Sequence, residues 1–198
     1  PIEFIKEAGE ANTSLAFEKL HCQFIEENID SLSDYLLIIV NSKVAAQETY
    51  RILSRSEPIK THYSLHAQGV SGSLKKIKRR AREMKPSIVV LSWNALLTEQ
   101  WAIADERFDI LMSSLPFNSP NNSLMLAMSE YLNQLDETDF HKVLLPQMIQ
   151  DFKVLTSYLR DSFEINSIYL FDERVFTKYY SQLVREQLEF LVNFEISQ

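Results

Sequence analysis

Three short runs dominated by apolar residues constrain the fold of this chain more than any other feature. Their sequences are YLLIIVN at residues 35–41, SIVVLSW at residues 87–93 and FDILMSS at residues 108–114. Short runs of this kind, rich in Ile, Val and Leu, are typical of strands that are covered on both faces of a sheet. Residues 60–66 and 166–172 predict two further strands.

Segments with a helical spacing of apolar residues separate these strands. The predicted helices span residues 14–31, 43–53, 73–84, 123–135, 145–160 and 173–190. This alternation predicts a mainly parallel sheet with helices on both faces, and right-handed crossovers then place the functional loops at the carboxyl ends of the strands. We expect residues 1–16 to be a lead-in segment and residues 17–198 to form one α/β domain.

Glycine is scarce in this chain. The only glycines are Gly9, Gly69 and Gly72, where an average usage of about 7% would give about fourteen. A Walker A loop and a G-x-G-x-x-G fingerprint both need clustered glycines, because only a backbone without side chains can wrap a phosphate closely. We therefore expect no nucleotide to bind through either motif. Gly69 and Gly72 are expected to adopt positive φ or to allow a close approach.

The residue types that carry metal or covalent chemistry form no motif here. Cys22 is the single cysteine, which excludes an internal disulfide and a Cys-based zinc site. The four histidines lack metal-like spacing, so we expect neither a metal site nor a catalytic residue. No apolar run approaches about 18 residues, so no membrane span is expected, and one free cysteine fits a cytoplasmic setting. Because the sequence starts with Pro1 rather than Met, we expect a fragment of a longer protein.

The net charge of −7 hides one basic segment. Residues 75–85 carry seven basic side chains and one acid, so this segment is +6 while the rest of the chain is −13. On a helix, Lys75, Lys78, Arg79 and Arg82 share one face, which favours contact with the phosphates of a single-stranded nucleic acid. The alternative interpretation is an ordinary solvated helix face.

Two predicted strand ends add polar candidates for the same contact. Asn41, Ser42 and Lys43 precede or open a helix, whose first backbone N–H groups can hold a phosphate oxygen. The alternative for Ser42 is a purely structural N-cap. Gln68 and Gly69 belong to a polar loop that leads into the basic helix, and the alternative there is an ordinary turn.

Five segments in order resemble the second RecA-like domain of DinG-type helicases, which are relatives of the iron–sulfur XPD helicases in superfamily 2. The segments are LIIVNSK, HAQGVSGSLKK, SSLPFNSPNN, LLPQMIQDFK and LFDERVFTKYY, which start at residues 37, 66, 113, 144 and 170. The resemblance covers roughly residues 24–190. It implies a three-layer RecA-like fold of the P-loop NTPase type.

The sequence departs from this family at both ATPase motifs. The family's Phe-Trp-Glu-Gly-Val-Asp segment falls on residues 96–101, which read LLTEQW. Its Gln-Gly-x-Gly-Arg-x-x-Arg motif falls on residues 154–161, which read VLTSYLRD. Arg160 lies one position before the second arginine, about 100° away on a helix, and is the one weak candidate for a nucleotide interface. We interpret the domain as one that kept the fold and lost its ATPase contribution.

The resemblance also implies a function and partners. It implies the C-terminal domain of a DinG-like ATP-dependent DNA helicase that binds single-stranded DNA and serves DNA repair. An upstream RecA-like domain of the same protein would be its partner, and ATP and Mg²⁺ would bind only through that domain. Some DinG-like proteins carry a 3′–5′ exonuclease domain as well. The alternative is a non-catalytic interaction or scaffold domain that keeps only the helicase fold.

Overall fold

Six parallel strands form one sheet in the computed structural model, which describes residues 2–4, 14–103, 105–116, 130, 140–172, 181–182 and 185. The strands are β1 (Ile2–Phe4), β2 (Tyr35–Val40), β3 (Ser64–Ala67), β4 (Ser87–Ser92), β5 (Arg107–Met112) and β6 (Glu164–Leu170). Their order across the sheet is β1-β6-β5-β2-β4-β3, and every neighbouring pair is parallel. The predicted parallel sheet is confirmed.

Helices cover both faces of this sheet. They are α1 (Ser14–Asn28), α2 (Lys43–Leu53), α3 (Glu57–His62), α4 (Leu74–Glu83), α5 (Trp93–Thr98) and α6 (Leu145–Ser162), which continues a π-helical turn at Phe140–Leu144. The first three pack on one face and the last three on the other. This three-layer α/β architecture confirms the predicted fold class. In the described part of the chain, no helix is long and apolar enough to cross a membrane.

The central strand β2 shows why an uninterrupted apolar run is needed. All six of its residues are buried, and successive side chains alternate between two hydrophobic cores. Leu36 and Ile38 pack in the core with α1, α2 and α3, whereas Leu37 and Ile39 pack in the core with α4, α5 and α6. Burying one such side chain contributes about 1.5–3 kcal/mol. Both faces of this strand therefore have to be apolar.

The prediction of a strand over residues 60–66 is wrong in its first half. Residues up to His62 belong to α3, because Ser56 accepts a hydrogen bond from the N–H of Ile59 (3.3 Å) and so caps a helix, and Ile59 is fully buried. The strand β3 begins only after this helix. His62 is therefore exposed at a helix end while His66 is buried in β3, and the two do not share a strand face.

Other differences concern the ends of elements. β4 stops before Trp93, because the Ser92 hydroxyl accepts a hydrogen bond from the N–H of Ala95 (3.3 Å) and starts α5. The edge strand β1 lies within residues 1–16, which were expected to be a lead-in segment. The sheet therefore includes part of that segment. The helices predicted at residues 123–135 and 173–190 lie outside the described residues, apart from isolated positions.

Candidate nucleic-acid interface

A cleft of about 600 Å³ opens at the carboxyl ends of β2, β4 and β3. The five candidates from the two predicted strand ends all line it: Asn41, Ser42, Lys43, Gln68 and Gly69. They meet because β2 and β3 both flank β4 in the sheet. The remaining lining residues are Gly72, Ser73, Leu74, Ser92, Asn94, Ala95, Thr98 and Glu99. Residues 92–95 were also expected at the carboxyl edge, but sequence reasoning did not single out Asn94, which lies in α5 just after β4.

The N-termini of two helices, α2 and α4, lie at this cleft, and each is capped by a serine. Ser42 accepts a hydrogen bond from the N–H of Ala45 (3.1 Å) at the start of α2, and Ser73 accepts one from the N–H of Lys76 (3.4 Å) at the start of α4. The N-cap role that was the alternative for Ser42 is therefore real. It does not exclude an anion, because the remaining first-turn N–H groups of both helices carry partial positive charge toward the cleft.

Side-chain donors add to these backbone donors. The Gln68 Oε1 atom accepts hydrogen bonds from the backbone N–H (3.1 Å) and the hydroxyl (2.9 Å) of Ser92, which fixes the orientation of the amide. Its NH₂ group is thus left for the cleft, together with the ammonium group of Lys43. Asn94 accepts a hydrogen bond from the Thr98 hydroxyl (3.1 Å) and likewise keeps its NH₂ group. The cleft therefore offers the NH₂ groups of Gln68 and Asn94 and the ammonium group of Lys43, with one acid, Glu99, at the same cleft.

Gly69 shapes the mouth of the cleft. Its φ of +80° is a left-handed conformation, and Gly72 has a φ of +101°, so the expectation of positive φ is confirmed at both glycines. A Cβ atom added at Gly69 would lie 2.7 Å from the Lys43 Cε atom and 2.8 Å from the Gln47 Nε2 atom. The Gln47 side chain also donates a hydrogen bond to the Gly69 carbonyl (3.2 Å). The missing side chain therefore lets Lys43 lie across the loop.

Changing Gly69 to alanine is expected to weaken nucleic-acid binding about fivefold, because the new methyl group displaces the Lys43 ammonium group. The matched control is Gly72→Ala. It pays a similar backbone cost of about 1–2 kcal/mol, but its Cβ meets nothing closer than the Lys76 Cδ atom at 3.4 Å. Thermal melts and fluorescence anisotropy with a labelled single strand measure the two effects. Equal losses of affinity in both variants would contradict this role for Gly69.

The basic residues of α4 form a second surface, which we call the α4 face. Ile77 and Ala81 are buried against the sheet, whereas Lys75, Lys78, Arg79 and Arg82 line a shallow groove of about 400 Å³ together with Glu83. The Nε atom of Arg79 lies 3.7 Å from the Glu83 carboxylate, and both side chains are more than half exposed. Such an exposed pair is worth less than about 1 kcal/mol, so it leaves Arg79 available to a phosphate.

Arg160 lies away from both surfaces. It is in the last turn of α6, which ends where β6 begins, so it lies at the amino edge of the sheet rather than at the carboxyl edge. Its exposed guanidinium group pairs with Asp161 (3.2 Å). The structure does not bring Arg160 to the cleft, and its contact with a nucleotide on a neighbouring domain stays a prediction.

Part of each segment at the positions of the two ATPase motifs packs into the core. Leu96 and Trp101 of the first segment are buried, as are Leu155 and Leu159 of the second. The Tyr158 hydroxyl donates a hydrogen bond to the Trp101 carbonyl (3.1 Å), which joins the two segments directly. These side chains are used for packing, whereas Thr98 and Glu99 of the first segment line the cleft.

Within the described ranges, the other chemistry-bearing residues form no second site. Cys22 lies beside the Glu26 carboxylate, and burial together with that negative charge raises the pKa of its thiol to about 11, so the thiol is not reactive near neutral pH. No group of three His, Cys, Asp or Glu residues in the described part of the chain could hold a metal ion. Trp93, at the start of α5, packs against the core that contains α4, α5 and α6.

An all-parallel sheet with helices on both faces and a polar cleft at its carboxyl edge is an architecture that RecA-like domains share with other α/β folds. Among solved structures, one titled XPD helicase matches with a TM-score of 0.62 over 95% of this chain, at 12% sequence identity. This chain spans 34% of that chain, about a third of its length. No family model matches the sequence, and no curated protein does. The chain therefore has a helicase-like fold.

Proposed function

We propose that this chain is the second RecA-like domain of a DinG-type helicase, and that it binds single-stranded DNA without supplying ATPase residues of its own. The observation that carries the proposal is the cleft at the carboxyl edge of the sheet, which brings Asn41, Ser42, Lys43, Gln68 and Gly69 together. Phosphate contacts position a nucleic acid through lysine side chains, polar side chains and helix N-termini, and this cleft offers all three.

The charge distribution supports a nucleic acid over other anions. The cleft opens beside the start of α4, and the α4 face adds four cations on an otherwise acidic chain. A concentrated basic patch on an acidic body attracts a polyanion to one place, while the remaining surface repels it. A small anion would need only the cleft, so the cations along α4 favour an extended partner.

The proposed loss of ATPase residues rests on packing. In phosphoryl transfer, an arginine that neutralises the developing charge is worth about 10³–10⁵ in rate. Tyr158 stands at that position by sequence register, and its hydroxyl is bound to the Trp101 carbonyl inside the domain. An upstream RecA-like domain of the same protein would then hold ATP and Mg²⁺. A cytoplasmic setting, a DNA-repair role and a fused 3′–5′ exonuclease domain belong to the same proposal.

The test is binding of a fluorescent single strand of about 20 nucleotides, followed by anisotropy across a salt series. Contact with about three phosphates predicts a slope of log K against log salt of about −2. Changing Lys75, Lys78, Arg79 and Arg82 together to glutamate is expected to reduce the affinity at least about tenfold and to flatten the slope.

The matched control makes the same change, four basic residues to glutamate, on the opposite face of the sheet. Lys19, Arg51, Arg55 and Lys60 are exposed on α1, α2, α3 and the α2–α3 connection, and their change to glutamate is expected to leave affinity within about twofold at physiological salt. Thermal melts establish that both variants fold. If the unmodified protein fails to bind at low salt, the DNA proposal is wrong, and the scaffold interpretation takes its place.

A further inference from the structure

The cleft and the α4 face are joined at one point of the molecule. Ser73 and Leu74 line the cleft, and the next residue, Lys75, is the first cation of the α4 face. From there α4 leads back toward the amino edge of the sheet, since it connects the parallel strands β3 and β4. The basic groove therefore starts at the cleft and continues down the side of the domain.

The length of the α4 face sets the amount of polymer that it can contact. Lys75 and Arg82 are seven residues apart, which corresponds to about 10 Å along a helix axis. The rise per nucleotide along the axis of a stacked strand is about 3.4 Å, so a strand parallel to α4 places about three phosphates along the face. Lys78 and Arg79 lie between the two ends on the same side of the helix.

The composition of the α4 face limits what it can recognise. The helix reads LKKIKRRARE and contains no aromatic residue on which a base could stack. Non-specific strand-binding surfaces combine cations for the backbone with aromatic platforms for the bases. The α4 face offers only the cations, so it can contact the phosphate backbone without reading the sequence.

We infer that the α4 face is a second, consecutive subsite for the same single strand, which leaves the cleft at the carboxyl edge of the sheet and continues along the outer side of α4 toward the amino edge. The inference rests on the proposed function, because it assumes that the cleft holds single-stranded nucleic acid. It adds the path that the strand follows beyond the cleft. It also implies that a strand must be longer than the cleft to contact both subsites. A strand that only fills the cleft meets the N-terminus of α4 but does not reach the cations of the α4 face, whereas a longer one contacts both subsites.

The test compares labelled oligothymidylates of about 4 and about 12 nucleotides. At about 0.15 M salt the Debye length is about 8 Å, so distant charges contribute little. Changing Lys75, Lys78, Arg79 and Arg82 to glutamate is expected to weaken the longer strand at least about tenfold and the shorter one less than about twofold. Lys43→Glu, in the cleft, is expected to weaken both. The quadruple variant of Lys19, Arg51, Arg55 and Lys60 is the control.

Each other outcome has a separate meaning. Equal losses of affinity for both strand lengths in the α4 variant would overturn the consecutive path. The α4 cations would then contribute to binding of a strand that lies in the cleft alone. An unchanged affinity for both lengths in that variant, with a loss in Lys43→Glu, would overturn the second subsite and leave the proposed function intact. If neither oligonucleotide nor a strand of about 20 nucleotides binds the unmodified protein, the proposed function itself fails.

Discussion

The protein is expected to lose about 3 kcal/mol of stability between pH 6.5 and pH 4 through one residue, His21. This histidine lies in α1, is fully buried, and meets the ring of Phe171 edge to face with 4.8 Å between centroids. Neither ring nitrogen has a hydrogen-bond partner among the described residues. Burial without a partner disfavours the imidazolium form and lowers the pKa of His21 to about 4.

The sign of the effect follows from the two protonation states. In the unfolded chain the histidine has its ordinary pKa of about 6.5, so between pH 6.5 and 4 the unfolded state binds a proton that the folded state does not. Stability therefore falls as the pH is lowered through this window. One pKa unit corresponds to about 1.36 kcal/mol, which gives the loss of about 3 kcal/mol. His66 adds to it, because burial and the nearby charge of Arg80 lower its pKa as well.

Urea unfolding at several pH values measures this dependence. The variant His21→Leu keeps an apolar side chain against Phe171 and removes the titrating group. Between pH 6.5 and pH 4, its free energy of unfolding is expected to fall by about 3 kcal/mol less than that of the unmodified protein. Other acid-sensitive groups act in both proteins and cancel in the difference. Parallel pH profiles for the two proteins would rule out a buried neutral His21.

The second large effect is expected at Asp109, whose change to alanine should cost about 3 kcal/mol. This carboxylate is fully buried in β5 and accepts hydrogen bonds from the backbone N–H of Ser33 (2.6 Å) and from the side-chain amide of Asn166 (2.9 Å). It thus connects the turn before β2 with β6. Alanine would leave the part-buried N–H of Ser33 without its acceptor, whereas the exposed Asn166 amide can turn to water, and a hydrogen bond to a charged group contributes about 1.5–3 kcal/mol.

Asp109→Asn is the control for this effect. An asparagine oxygen can accept from Ser33, and its NH₂ group can donate to the Asn166 oxygen once that amide has turned over. The loss is therefore expected to be about 1 kcal/mol. Denaturant unfolding of both variants at neutral pH makes the comparison. If Asp109→Ala and Asp109→Asn were equally stable, the two hydrogen bonds would not be the source of the stability.

Much of the candidate site could be predicted from local sequence. Asn41, Ser42 and Lys43 follow an unmistakable buried strand, and a serine after such a strand is a recognisable helix start. The α4 face could be predicted because helical spacing alone separates Lys75 and Arg79 from the buried Ile77 and Ala81. The positive φ of Gly69 was likewise predictable, because few other residues tolerate it.

Other parts of the structure depend on contacts that no local pattern contains. The first half of the strand predicted at residues 60–66 belongs to the short helix α3 instead. The Ser56 cap and the burial of Ile59 stabilise this helix more than the strand-like composition favours a strand. Strand β1 has three residues, too few for any periodicity, and it forms by pairing with β6. The hydrogen bond from Leu115 to the buried Asp172 (2.8 Å) joins two segments that are far apart in the chain.

The sequence by itself determined the class of fold, the lack of a glycine-rich phosphate loop and the place of the basic helix, since each depends on composition or on spacing within one element. Only the tertiary structure decided which strand ends share a cleft and which do not. Apolar runs are nearly interchangeable in a sheet, so their order is set by long-range packing and by the crossovers of the helices. That order places Gln68 beside Lys43 across β4, and the direction of α6 places Arg160 at the opposite edge.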